Sequence, residues 1–165
     1  MRRIFILLFI TTLSYGSSAQ VSNDELYDVI NHVMKANTNH TLAPKAEIFP
    51  LSRLNEFIEY SLQLGGREDD NFDLRSNVDM TYIAQQLRAV EQITWDVRRL
   101  DPTIIIQKHG THSYSIPLFL NDRKDLVLLN HVLSTGSAAC CSELELYMKV
   151  GNQWKLIRDL PYGII

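Results

Sequence analysis

Two kinds of side chain in this sequence can do chemistry that most residues cannot: thiols and imidazoles. The only cysteines, Cys140 and Cys141, are adjacent. Neighbouring residues of an extended chain point to opposite sides. A disulfide between them requires a strained turn, because bridge geometry is narrow, and strained bridges reduce easily. Three readings follow: a labile redox pair, two thiolates for a soft metal, or one small buried hydrophobe beside a residue that faces a loop. The preceding run Ser134-Thr-Gly-Ser-Ala-Ala139 is small and flexible and suits a loop with a special backbone.

His109 and His112 flank Gly110-Thr111, and His131 precedes the cysteine pair. With Cys140 or Cys141 these imidazoles form a conceivable Cys/His zinc set. Thiol catalysis needs a base and an orienting acid, for which His131 or His112 and Asp125 are the available partners. The plain alternative is a polar loop with two exposed imidazoles and a histidine at a strand end. The sequence contains no Gly-x-Ser-x-Gly elbow, no phosphate-cradling glycine loop and no His-Glu-x-x-His motif. It therefore assigns no catalytic residue, no cofactor and no metal. Cys140, Cys141, His131, His109 and His112 are the positions at which any site is expected.

The elements that must hold these residues begin after an export signal. Arg2 and Arg3 precede the apolar run Ile4–Ile10, and Ser17, Ser18 and Ala19 offer a cleavage site. The run is about half of the roughly 20 apolar residues that a spanning helix needs. Residues 1–19 are thus expected to be a signal peptide and 20–165 a single domain of ordinary size, exported to the periplasm or beyond. No later stretch is long and apolar enough for a bilayer. Loss of Arg2 and Arg3 takes the net charge from −3 to −5, which argues against a nucleic-acid partner. Two adjacent cysteines are no disulfide framework, so packing must supply the stability. Asn39-His40-Thr41 matches a glycosylation sequon, relevant only in a eukaryotic secretory route.

Along the chain, Leu26, Val29, Ile30, Val33 and Met34 make one helical stripe, with Asn23 or Asp24 as its cap. Residues 48–64 fit either period. Leu54, Phe57 and Ile58 are helical in spacing, while Ile58, Tyr60, Leu62 and Leu64 alternate, which favours a strand over 57–64 ended by Gly65-Gly66. Asp79 is positioned to cap a helix whose apolar face is Ile83, Leu87 and Val90, with Gln85, Gln86, Arg88 and Glu91 toward water. Ile93, Trp95 and Val97 alternate as a strand does.

Further strands are expected at 104–106, at 115–120 with Pro117 marking an edge or bulge, and at 126–133 as the central one. The pair 143–150 and 153–158 is joined by Gly151-Asn152. On it Leu144, Leu146 and Met148 face one way, and Trp154, Leu156 and Arg158 share a side. Among the aromatics Tyr60, Tyr82, Trp95, Tyr114, Tyr147, Trp154 and Tyr162, Tyr147 is the best surface candidate, followed by Tyr162 in a tail expected to pack on the domain.

Helices early and hairpin-linked strands late imply an α+β fold: N-terminal helices covering one face of a mostly antiparallel sheet formed largely by the C-terminal third.

Ser115-Ile-Pro-Leu-Phe119, a polar turn, Asp125-Leu-Val-Leu-Leu129, a cysteine segment and Tyr147-Met-Lys-Val-Gly-Asn-Gln-Trp-Lys155 follow one another here. Upstream stands Asp79-Met-Thr-Tyr-Ile-Ala-Gln-Gln-Leu87. Over roughly residues 79–158 this order resembles small exported proteins of the Bacteroidetes type. The resemblance implies export and the strand order above, and it brings no established activity. Many of those proteins hold two cysteines a few residues apart, and the adjacent pair here departs from that pattern. The functional expectation is a non-catalytic binding or envelope-associated domain with a protein or small-molecule ligand. Its alternative is a thiol-dependent enzyme or metal-binding protein centred on Cys140, Cys141 and the nearby histidines.

Overall fold

The computed structural model describes residues 21–35, 41–63, 74–89, 91–108, 111–135 and 138–162. The leader, His40, Gly65-Gly66 and His109 lie outside them. The helices are α1 (Asn23–Lys35), α2 (Leu51–Gln63), the single turn α3 (Leu74–Asn77) and α4 (Met80–Ala89). The strands are β1 (Thr41–Leu42), β2 (Ile105–Ile106), β3 (His112–Tyr114), β4 (Leu118–Phe119), β5 (Leu126–Thr135), β6 (Ala138–Val150) and β7 (Gln153–Tyr162). They form one mixed sheet in the order β2-β1-β3-β5-β6-β7, with β4 also on β5. Among the described strands the parallel pairs are those of the short β1 with β2 and β3, and β5, β6 and β7 make a long antiparallel meander. The α+β class and the C-terminal sheet are as the sequence implies. Among the described residues no helix is long and apolar enough to cross a membrane.

Helix α1 starts with a reciprocal capping box. The Glu25 N–H donates to Ser22 Oγ (3.3 Å), and the Ser22 N–H donates to Glu25 Oε2 (2.8 Å). The cap is therefore Ser22, not Asn23 or Asp24, and the Asp24 carboxylate instead meets Arg99. Burial of Glu25 pushes its carboxyl up, yet hydrogen bonds from Lys124 and Ser22 and the Lys124 charge hold it below the usual range. The expected apolar stripe of α1 is buried throughout. Asp79 caps α4 as expected, accepting from the N–H groups of Thr81 and Tyr82 at 2.9 and 3.1 Å.

Further expectations are corrected. Residues 57–63 continue helix α2 rather than forming a strand, with Leu54 and Phe57 buried three apart on one face. The four-residue alternation that favoured a strand is too short to outweigh that helical pair. Ile93–Val97 is irregular and makes a single bridge, Thr94 to Lys45. Pro44 lies across from it with no N–H for a ladder, so only its carbonyl takes part, accepting from Trp95 at 3.0 Å.

The helices also cover both faces of the sheet. Val127 and Leu129 pack with Val29, Ile30 and Val33 of α1, whereas Leu126 and Leu128 pack with Leu54 and Phe57 of α2 and Ile83 of α4. Alternate residues of one strand point to opposite faces, so the core is divided in two by the sheet. Finally, a bulge in β7 lies between Leu156, opposite Tyr147, and Arg158, opposite Leu146. It turns Arg158 to the face opposite Trp154 and Leu156, and Leu156 is half-exposed.

Gln86, expected in water, is buried and clamps an edge. Its Nε2 donates to the Phe119 carbonyl (2.6 Å) and its Oε1 accepts from the Phe119 N–H (3.1 Å). One side-chain amide thereby satisfies the backbone of β4 on the side away from β5, where no strand lies among the described residues.

Candidate functional site

Toward one end of the sheet the α1 face changes from apolar to ionisable. The pairing register aligns His112, Leu133 and Cys141 in one cross-strand row and Tyr114, His131 and Glu143 in the next. Leu129 faces Glu145 and Val127 faces Tyr147 in the two rows after that. Paired residues share a face, so these histidines, glutamates and tyrosines converge on the side that α1 covers.

They form a connected tract. His131 Nδ1 lies 2.9 Å from Glu145 Oε1. A carboxylate only accepts, so the Nδ1–H of His131 is the donor. The other Glu145 oxygen accepts from the Tyr147 hydroxyl at 2.9 Å. On the far side of the ring, His131 Nε2 lies 2.6 Å from His112 Nδ1, one of the two carrying the shared proton. The rings of Tyr114, His131 and His112 are nearly parallel, with centroid separations of 4.5 Å for Tyr114–His131, 4.8 Å for His112–His131 and 6.3 Å for His112–Tyr114, so Tyr114 lies over His131 and His112 meets its edge. His112, His131, Glu145 and Tyr147 are buried, and Tyr114 is inaccessible. Glu143 sits at the rim with its side chain 41% exposed and its Oε2 3.9 Å from His131 Nδ1. Burial, followed by the negative charge of Glu145, pushes the Tyr147 phenol far above the ordinary tyrosine range. That hydroxyl is thus fixed as a hydrogen-bond donor.

The opposite face carries polar residues at the same level, but neutral ones. Ser142 Oγ donates to Asn130 Oδ1 (3.0 Å), and the Asn130 N–H donates to Ser115 Oγ (2.9 Å).

Of the residues singled out from the sequence, His112 and His131 are brought together and Cys141 shares their face. Cys141 is half-buried and is separated from His112 by the strand that carries Leu133. Cys140 occupies the bulge of β6 between the pairs Leu133–Cys141 and Ser134–Ala139, and its side chain lies outside the described residues, as does all of His109. The expectation of exposed loop imidazoles fails for His112, which is a buried strand residue. Asp125 is not the acid of the site. Its carboxylate accepts from Asn121 (2.8 Å) and pairs with Arg123 (3.1 Å) in the turn before β5. That turn is six residues from His131, roughly 20 Å along a strand.

The acid is Glu145, which sequence reasoning missed along with Glu143; Tyr147 was singled out there only as a surface aromatic. Tyr147, expected at the surface, is buried because α1 covers the face assigned to water. The signal was present: Glu143, Glu145 and Tyr147 alternate along one strand opposite a histidine-bearing strand.

No family model, curated protein or solved structure matches the chain.

Proposed function

We propose that the chain is a small exported binding domain of the Bacteroidetes type outlined above, and that the His112–His131–Glu145–Tyr147 tract with Glu143 at its rim is its ligand site. The observation that carries this reading is the buried Glu145 carboxylate shared between the His131 ring and the Tyr147 hydroxyl. Buried ionisable groups cost desolvation, and an apolar replacement of similar volume is often as stable or more so. A tract of this kind, rimmed by a solvent-reaching carboxylate, is where perturbed functional groups gather.

The test is to replace the tract with apolar residues: His112→Phe, His131→Leu, Glu145→Met and Tyr147→Phe in one chain. Urea unfolding is expected to show stability unchanged or raised by about 1–4 kcal/mol, so that the tract is not kept for stability. A loss of several kcal/mol would make it structural and end the proposal.

A second reading, thiol chemistry, is favoured by the placement of Cys141 on the same face as both histidines. Alkylation of the native protein followed by mass spectrometry separates the two. Rapid modification at Cys141, slowed by His131→Leu, supports the thiol reading, and slow modification insensitive to that change dismisses it.

A further inference from the structure

We infer that His131, Glu143 and Glu145 form a binding site for one divalent transition-metal ion of the zinc class. This deepens the reading of the tract as a ligand site and rests on it. One potential ligand atom from each of the three residues falls within 4.8 Å of the other two. His131 Nδ1 is 2.9 Å from Glu145 Oε1 and 3.9 Å from Glu143 Oε2. Zinc takes imidazole nitrogen and carboxylate oxygen at about 2.0–2.2 Å, which sets neighbouring ligands roughly 3–3.5 Å apart. Glu145 and His131 already stand near that separation. Glu143, half-exposed at the rim, closes the rest by a rotamer adjustment.

The surroundings supply what a metal centre needs behind its ligands. A ligating histidine donates its second ring N–H to an acceptor, which fixes its tautomer. Here His131 Nε2 faces His112 Nδ1 at 2.6 Å. A ligating carboxylate is itself held by a hydrogen bond, and Tyr147 donates to Glu145 Oε2, leaving Oε1 turned to His131. The Tyr114 ring lies parallel to that of His131 at 4.5 Å and supports its plane, while His112 holds its edge through the Nε2–Nδ1 contact.

Protons balance on binding. The ion displaces the Nδ1 proton of His131 to solvent, the proton shared by the two imidazoles settles on His131 Nε2, and His112 takes one from solvent at its own Nε2. Two carboxylates against a divalent ion favour binding by charge. The imidazole selects zinc and the other late first-row metals over calcium, magnesium and manganese, which prefer all-oxygen sites. Cys141 is not among the three ligand residues, so the site does not depend on thiolate.

The experiment uses the mature chain, stripped with a chelator and titrated with Zn²⁺ by calorimetry and with Co²⁺ by visible absorption. One ion per chain is expected, with ligand-field bands for cobalt and a raised melting temperature in zinc. Glu143→Gln, at the exposed rim, keeps the fold and is expected to weaken zinc at least ~10-fold. His131→Gln is expected to abolish stoichiometric uptake, and Tyr147→Phe, acting from behind Glu145, to cost ~10–100-fold. Circular dichroism of each variant verifies the fold. Failure of the wild-type chain to take up one ion overturns the proposal. So does binding that survives both Glu143→Gln and His131→Gln, or that is lost in Cys141→Ser alone. If the apolar replacement of the tract is tolerated and yet no ion binds, the metal assignment falls while the binding-domain reading stands.

Discussion

Strands β5 and β6 offer one backbone to two chemistries. Toward α2 and α4 they present Leu126, Leu128, Leu144 and Leu146, each inaccessible or nearly so, against Phe57 and Ile83. Where that face turns polar it does so with Ser115, Asn130 and Ser142, neutral groups that satisfy one another. Toward α1 the same strands begin with Val127 and Leu129 and end in His131, Glu143 and Glu145. A closed neutral network adds specificity at little electrostatic cost, whereas an ionisable one is tolerated where a ligand compensates it. The difference teaches that burial alone does not mark a site. One face is buried to hold the sheet, and the other is buried to hold charge in place.

The comparison is broken most directly by treating both faces alike. Leu128→Ala removes a fully buried side chain from the aliphatic face and is expected to cost about 3–4 kcal/mol in urea unfolding, since the cavity cannot collapse between sheet and helix. The apolar replacement of the ionisable tract is expected to cost nothing. If the two changes destabilise equally, both faces are ordinary core and the contrast is void.

The neutral network lies between these extremes. Ser142→Ala takes the donor from Asn130 Oδ1, a buried acceptor, and is expected to cost about 1–3 kcal/mol. A variant indistinguishable from wild type in the same unfolding measurement would show that this network contributes no more than solvent does.

The legible parts of the fold were those in which one period ran long enough to decide. The α1 stripe from Leu26 to Met34, the Asp79 cap, the central strand β5 and the Gly151 hairpin, with Gly151 at a φ of 62°, all follow from residue type and spacing. Strand β6 was expected to begin at residue 143, yet it starts at Ala138, because Ala138–Ser142 carries no alternation to read. Helix α2 was misread where a helical and an alternating pattern overlapped, and 93–97 because alternation was present without a partner strand.

The site was half legible. Histidines draw attention by type, and His112 and His131 do meet, but their acid was sought in Asp125 because sequence shows no cross-strand register. Only the β5–β6 pairing sets His131 opposite Glu143 and one row from Glu145. Tyr147 was assigned to water for the same reason: nothing in a strand's alternation says which side a helix will cover.

The smallest effect concerns the α1 face at its other end, where a half-exposed carboxylate meets a half-exposed lysine beside the buried Trp154. Asp28 Oδ2 accepts from Lys149 Nζ and Trp154 Nε1, each at 3.0 Å, tying α1 to β6 and β7. Burial by itself raises the Asp28 carboxyl. The hydrogen bonds from Lys149 and Trp154, with the charges of Lys149 and His32, outweigh it and hold the group below the usual range.

A carboxyl lower in the folded than in the unfolded chain contributes stability that is complete above its unfolded value and disappears as pH falls through its folded one. Asp28→Asn keeps an acceptor for Trp154 but removes the charge. Because 48% of the side chain is exposed, screening holds the loss to about 1 kcal/mol or less at neutral pH. Paired urea titrations at about pH 7 and about pH 3 are expected to show wild type ahead in the first and its lead narrowed in the second. A gap that stays constant across that range would mean that the contact is held by geometry and not by charge. The α1 face would then be electrostatic only where it is buried.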